Sequence, residues 1–301
     1  MTAEPGRGPE PGNPAGPARL AEPGRGAASL RASAEAAEPR AGSARAGARG
    51  IARWRRTSEV TAAGAVFVVG WKLFVLAGHY PAFILPAPEV VAGRFVSAWV
   101  DGTMEPNALQ TLVEVLLGFG VGASLALVAG YALARSGLIE RVLSPYLVAA
   151  QATPILALAP LLALWFGTGL LSKVVICALI VFFPVAVATM VGLRNVDRRL
   201  IEMAHAFRAT RWQLLWSLEL PAALPGIMGG MRVGVTLAVV GAIIGEWAGG
   251  DLGLGVLINL ARGSLFDIPL LFATLLTIAL LGVVLYLVVV LVERRVVGAR
   301  G

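Results

Sequence analysis

Apolar residues in this chain form long runs separated by shorter polar stretches, and the runs have the length of membrane spans. A helix needs about 20 apolar residues to cross the hydrocarbon core of a bilayer. Six segments approach or exceed that length, and the pattern predicts one helix over each: about 59–78, 108–134, 142–166, 171–193, 222–245 and 268–292. The expected fold is an all-α polytopic membrane protein, with the transmembrane domain over residues 58–301.

Two polar connections have patterns of their own. Within residues 79–107, Pro86 and Pro88 end any helix that comes from the membrane, and residues 89–100 then predict a short amphipathic helix at the interface. The connection 246–267 contains the run GGDLGLG, whose glycines permit tight turns and close backbone approach.

Composition supports the membrane interpretation. Only 14% of the residues are charged and 57% are apolar, whereas soluble domains carry about 25% charged residues. This excludes an ordinary soluble globule. Residues 1–57 are different: they are rich in Ala, Gly, Pro and Arg and lack an apolar core, so they predict a disordered tail and no signal peptide.

The positions of the basic residues predict the orientation. If the N-terminus is cytoplasmic, 20 of the 25 Lys and Arg residues lie on the cytoplasmic side. Both termini and the loop 194–221 are therefore expected in the cytoplasm, and the basic tail can contact anionic lipid headgroups.

The loop 194–221 is too long for a simple connection and has helical patterning of its own. One apolar stripe runs through RRLIEMAHAF and a second through TRWQLLWSLEL, where Thr210 is the expected N-cap. An apolar face of this kind suits either a groove on a partner protein or the lipid surface. The pattern alone does not separate these two alternatives.

The spacing of this loop resembles the EAA loop of ABC importer permeases, whose pattern is E-A-A, three residues, G, nine residues, I, any residue, L-P. The matching positions are Glu202, Ala204, Leu218 in the place of Ile, Leu220 and Pro221. Met203 replaces the middle alanine. Arg208 stands where the family has its turn glycine, so either the turn differs here or a non-glycine residue accepts a left-handed conformation at a cost of about 1–2 kcal/mol.

The resemblance extends over about residues 60–300 and implies the fold of a type I ABC importer permease in the bacterial inner membrane. It implies a permease homodimer, cytoplasmic ATPase subunits docked on the EAA loop, and an extracytoplasmic solute-binding protein. The chain has no G-x-x-x-x-G-K-[ST] phosphate loop, so ATP hydrolysis is expected on a separate subunit. No catalytic residue, metal site or cofactor is expected on this chain, and nucleic acid is not an expected partner.

Further segments resemble the nitrate, sulfonate and taurine branch of these permeases, among them APLLALWFG and VVGAIIGEWAGGDLGLGVLI. They are most similar to members assigned to pyrimidine precursors of thiamine. The expected solute is such a pyrimidine, and the alternative is a sulfonate, taurine or nitrate.

Polar residues within apolar runs are the candidates for the substrate pathway, because they are costly in the membrane. Gln151 and Thr153 precede Pro154, and they predict either a pathway or a structural kink. Glu246 and Trp247 predict either a contact to a heteroaromatic substrate or an anchor at the interface. Glu114 is expected to form a structural pair.

The sequence argues against two other classes of membrane protein. An ion-coupled secondary transporter would show two repeated halves, and no convincing repeat is present. An intramembrane enzyme would need a catalytic constellation, yet the two histidines, His79 and His205, lie in the connections.

Overall fold

The computed structural model describes residue 59 and residues 61–298, and the predicted tail 1–57 lies outside the described residues. The chain divides into two units, residues 1–69 and 70–301. The described part of the first unit is residue 59 and residues 61–69, the start of helix α1 (Thr61–Gly78), and the apolar side chains of residues 61–69 are exposed.

The described residues form helices and turns with no strand, which confirms the all-α fold class. After α1 the helices are α2 (Pro88–Val100), α3 (Met104–Arg135), α4 (Gly137–Ala152), α5 (Ile155–Phe166), α6 (Leu170–Arg194), α7 (Arg198–Ala206), α8 (Arg211–Leu214), α9 (Leu220–Gly249), α10 (Leu254–Arg262) and α11 (Ile268–Gly298). A π-helical turn, Leu215–Glu219, joins α8 to α9. Of the described helices, five are long and apolar enough to cross a membrane: α1, α3, α6, the continuous run Arg211–Gly249, and α11.

The third predicted span is corrected by the structure. Instead of one helix over 142–166, α4 ends at Ala152 and α5 begins at Ile155. Pro154 supplies no N–H group, and it disfavours the helical conformation of Thr153. Pro160 lies inside α5, so a proline alone does not break a helix of this protein.

The centre of the second unit is α6, which packs between α3 and α9. Small residues let these helices approach closely, in the segments GFGVGAS of α3 and GGMRVGVTLAVVG of α9. A Cβ atom added at Gly122 of α3 would lie 2.6 Å from the carbonyl oxygen of Ala178. One added at Gly241 of α9 would lie 2.9 Å from the Cα atom of Cys177 on α6.

A second apolar cluster joins α2, α10 and the first turns of α11 to α3 and α9. The predicted amphipathic helix over 89–100 is present as α2. Its Arg94 Nε donates to Asp267 Oδ2 at 2.7 Å, and Asp267 Oδ1 accepts the backbone N–H of Leu270 at 2.9 Å. This ion pair connects α2 to the beginning of α11. Lys72 of α1 lies 3.2 Å from Glu89 of α2, an exposed pair that contributes little.

Candidate functional site

The loop between α6 and α9 is built from two capped helices. Asp197 accepts the backbone N–H of Arg199 at 2.9 Å and caps α7. Thr210 caps α8: its hydroxyl accepts the N–H of Gln213 at 3.3 Å, and Gln213 Oε1 accepts the N–H of Thr210 at 2.9 Å. This reciprocal capping box confirms the prediction that Thr210 is an N-cap.

The turn between the two helices contains a strained residue. Arg208 has a φ of 57°, in the left-handed region that glycine adopts readily. Of the two alternatives drawn from the sequence, the second is confirmed: the turn is kept and arginine accepts the strain. The N–H of Arg208 donates to His205 O at 2.9 Å and that of Ala209 to Ala204 O at 3.0 Å, which satisfies carbonyls at the end of α7.

The loop leads into α9 without a helical break. Leu220 N–H donates to Leu215 O, five residues back, so the π-helical turn widens the chain just before Pro221. The run Arg211–Gly249 is therefore one 39-residue helix. Leu218, Leu220 and Pro221 are half-buried in it. The predicted loop 194–221 thus includes the first turns of a long helix.

A salt bridge fastens this region to α3. Glu219 is buried, and its Oε2 accepts Arg135 Nη2 at 2.7 Å. The same two residues line a cavity of about 180 Å³ beneath α7, together with Arg198 and Ile201. Movement of the loop is therefore linked to α3 as well as to α9.

The outward side of the loop carries large apolar side chains, which we call the loop patch: Leu200, Met203, Phe207, Trp212 and Trp216. Phe207 is 80% exposed, and the rings of Trp212 and Trp216 meet edge to face at 5.6 Å. Glu202 and Arg208 are also exposed, while Ala204 is half-buried. Leu200 and Phe207 thus point away from the bundle, and Ile201 and Leu214 are the residues turned towards it.

The break between α4 and α5 borders an open cavity of about 460 Å³, which we call the break cavity. Its lining comes from the break, from α6 and from α9: Thr153, Pro154, Ile155, Ile180, Phe183, Pro184 and Leu237. Thr153, one of the predicted pathway residues, is exposed and its hydroxyl donates to Ala149 O at 3.0 Å. Gln151 lies in the last turn of α4.

The other predicted pathway residues, Glu246 and Trp247, lie at the far end of α9. Glu246 is buried: its Oε1 accepts the Thr111 hydroxyl at 2.6 Å, and its Oε2 accepts the N–H of Gly255. Trp247 is half exposed and donates Nε1–H to Gly255 O at 3.0 Å. Both residues hold the connection between α9 and α10, so their polar atoms are already engaged within the chain.

Gly253 explains why this connection can approach so closely. Its φ is 136°, and a Cβ atom there would lie 2.2 Å from the carboxylate of Glu246. The N–H of Gly253 donates to Asn107 Oδ1 and that of Leu254 to Thr111 Oγ1, each at 2.9 Å. The glycine run therefore gives both the turn and the close approach predicted for it.

Glu114 forms the structural pair that the sequence predicted, with Lys173 as its partner. Lys173 Nζ lies 2.8 Å from Glu114 Oε1, and both side chains are buried. Lys173 also reaches Leu252 O at 3.4 Å. Sequence reasoning missed Lys173, Asn107 and Thr111. Lys173 carried a signal that could have been used, since a lysine beside a long apolar run calls for a buried partner.

This architecture is that of a helical permease subunit of a type I importer. The chain resembles the MetNI methionine ABC transporter in inward-facing structures, with a TM-score of 0.57, 21% identity, and coverage of 64% of this chain and 95% of the other. At this identity the likeness concerns the fold.

The family model for the inner membrane component of binding-protein-dependent transport systems matches residues 122–298. The chain belongs to this family and is an ABC transporter permease, a multi-pass protein of the inner membrane. It is 48% identical to the riboflavin transport system permease protein of Chloroflexus aurantiacus over 77% of this chain and 86% of that protein. It is 33% identical to the formylaminopyrimidine transport permease of Halalkalibacterium halodurans, over 67% and 80%. It is 27% identical to the taurine permease of Escherichia coli, over 83% and 93%.

Proposed function

We propose that this chain forms the membrane pathway of an ATP-driven importer for a small heteroaromatic solute. It acts as a homodimer with ATPase subunits docked on the loop patch. The loop and both termini lie in the cytoplasm, and a solute-binding protein delivers the solute on the other side. The observation that carries the ATPase assignment is the loop patch itself, because so many large apolar side chains in one exposed place are typical of a protein interface.

The geometry provides a route for coupling. The patch is joined to α9 through the continuous run Arg211–Gly249, which at 1.5 Å per residue is about 58 Å long. A displacement of the loop by the ATPase moves this helix, and the pair Glu219–Arg135 passes part of the movement to α3. Met203 belongs to the patch, and Glu202, Ala204 and Arg208 position it. Leu218, Leu220 and Pro221 join the patch to α9.

The substrate proposal broadens the pyrimidine that the sequence favoured. One relative is a riboflavin permease and another a formylaminopyrimidine permease, and both names describe flat nitrogen heterocycles. The second candidate is a sulfonate or taurine, favoured by relatives with those names, or the nitrate weighed with them. Family membership argues against the ion-coupled carrier.

The test begins with the complex purified from its native membrane through a tag on this chain. We expect an ATPase to purify with it, and ATP hydrolysis to drive uptake of riboflavin or 4-aminopyrimidine into proteoliposomes when the binding protein is present. Phe207→Asp should weaken ATPase association at least tenfold, because it places a charge on the most exposed side chain of the patch.

Phe83→Asp is the matched control, since Phe83 is 70% exposed but lies in the connection between α1 and α2. It should keep the ATPase. Docking on the loop patch would be contradicted if both variants lost the ATPase to the same extent, or if both kept it.

A further inference from the structure

The break cavity combines a flat apolar wall with free backbone acceptors. Phe183 lines it, and the ring of Phe182 meets that of Phe183 edge to face at 5.3 Å. The other lining side chains are apolar apart from Thr153. At about 460 Å³ the cavity falls within the range of sites for small organic ligands, roughly 300–1,000 Å³.

Two prolines that line the cavity, Pro184 inside α6 and Pro154 at the break, leave backbone carbonyls without their usual helical partners. Pro184 lies inside α6 and has no N–H group, so it cannot bond to the carbonyl of Ile180 one turn earlier. Ile180 lines the cavity near the middle of α6. At the break, the last carbonyls of α4 also lack partners within their own helix. The Thr153 hydroxyl donates to Ala149 O, and its lone pairs stay available to accept.

The described lining of the cavity offers no counter-charge for an anion. Among the residues that the structure describes there, none is ionisable. The helices α6 and α9 carry three cations, and each is held by a carboxylate. Lys173 and Arg194 of α6 pair with Glu114 and Glu140, and Arg232 of α9 pairs with Glu293. A sulfonate placed here would lose its hydration without gaining an ionic partner, which is costly at low dielectric. An uncharged ring with N–H groups would instead find both an apolar face and acceptors.

We infer that the break cavity is a substrate subsite for a flat, uncharged nitrogen heterocycle. The ring packs on Phe183, and its N–H groups donate to Ile180 O and to the Thr153 hydroxyl. This inference rests on the proposed import function and adds a selectivity that is independent of the binding protein: the membrane subunit itself favours the heterocycle over the sulfonate.

The test measures direct binding to the permease–ATPase complex in lipid nanodiscs without binding protein. The probes are riboflavin, 4-aminopyrimidine and taurine. We expect the two heterocycles to bind and taurine not to bind. Phe183→Leu should weaken riboflavin binding about three- to tenfold, through loss of ring stacking. Thr153→Val should weaken 4-aminopyrimidine binding about threefold.

Phe182→Leu is the matched control, because Phe182 packs against the core of α3, α6 and α9 and does not line the cavity. Protection of the Cys177 thiol checks that each variant is folded, since this cysteine is fully buried. Equal weakening by Phe182→Leu and Phe183→Leu would overturn the assignment of the ring contact.

The two proposals fail in different ways. A complex that hydrolyses ATP but binds taurine and neither heterocycle, or that binds none of the three probes at millimolar concentration, would overturn the subsite and leave the ATP-driven importer intact. The opposite outcome is a chain that purifies without an ATPase but binds a heterocycle, with weaker binding in Phe183→Leu. This result would refute the import mechanism and support the subsite.

Discussion

Removing the charge of Lys173 is the most direct test of the buried ion pair between Lys173 and Glu114, which lies beside the connection between α9 and α10. Lys173→Met keeps the length and apolar stem of the side chain while deleting the ammonium group. The ammonium lies 2.8 Å from Glu114 Oε1, and the side chains are 4% and 0% exposed. At that distance and an effective dielectric constant of about 20, the attraction is about 6 kcal/mol before the cost of desolvation.

The loss should lie near the upper part of the range for broken buried pairs, about 3–5 kcal/mol. Without Lys173, Glu114 keeps one hydrogen bond, from Gln110 Nε2 at 2.7 Å, and its Oε2 has no partner in the structure. Lys173→Met/Glu114→Gln removes both charges and leaves an uncharged amide. It should recover at least half of the lost stability.

The chain provides its own reporter for this measurement. Cys177 is its one cysteine, is fully buried, and lies one helical turn after Lys173. The temperature at which its thiol reacts with a fluorogenic maleimide reports opening of the α3, α6 and α9 core, and SDS titration of the same variants gives the free energy. The reasoning would be refuted if Lys173→Met lost less than about 1 kcal/mol, or if the double variant were no more stable than Lys173→Met.

Two further substitutions test the turn at Arg208 and the ion pair between Glu140 and Arg194. Arg208→Gly should stabilise the protein by about 1 kcal/mol in SDS titration, because glycine adopts the observed φ of 57° without strain; a loss of stability would mean that Arg208 contacts outweigh its strain. The hydrogen bond from Arg194 lowers the pKa of Glu140 in the folded protein. The ion pair therefore contributes its full stabilisation above the ordinary glutamate pKa of about 4.3. This contribution is lost as the pH falls through the lower pKa of the folded state. The stability difference between the wild type and Glu140→Gln should therefore be present at pH 7 and disappear towards pH 3, whereas a difference that grows with acid would contradict the ion pair.

Features set by neighbouring residues could be predicted from the sequence. The Thr210 cap depends on Gln213 three positions later. The resemblance to the EAA loop placed a turn at Arg208 and left two conformations open, of which the structure shows the left-handed one. The small residues of α3 and α9 also had one physical use in a membrane, which is close helix packing. In each case the relevant partners lie within a few residues or on a repeating face.

The division of the third span could have been anticipated only in part. Pro154 marks a position where a helix can break, but Pro145, Pro160 and Pro184 lie inside helices of the same protein. Whether proline breaks or bends a helix depends on whether neighbouring groups satisfy the released backbone atoms. That information resides in the packing of α5 against α6 and α9 and not in the local sequence.

The partners of buried charges depend on tertiary structure most of all. Glu114 was expected to form a pair, yet its partner lies 59 residues away, and Glu246 is held by Thr111, 135 residues away. These long-range bonds converge on the connection that glycine allows at Gly253, at the opposite end of α9 from the loop patch. Because α9 joins both places in one continuous helix, a pull on the loop patch reaches the Glu246 network through the backbone. On the proposed coupling route, the network is thus placed to resist that movement or to yield to it.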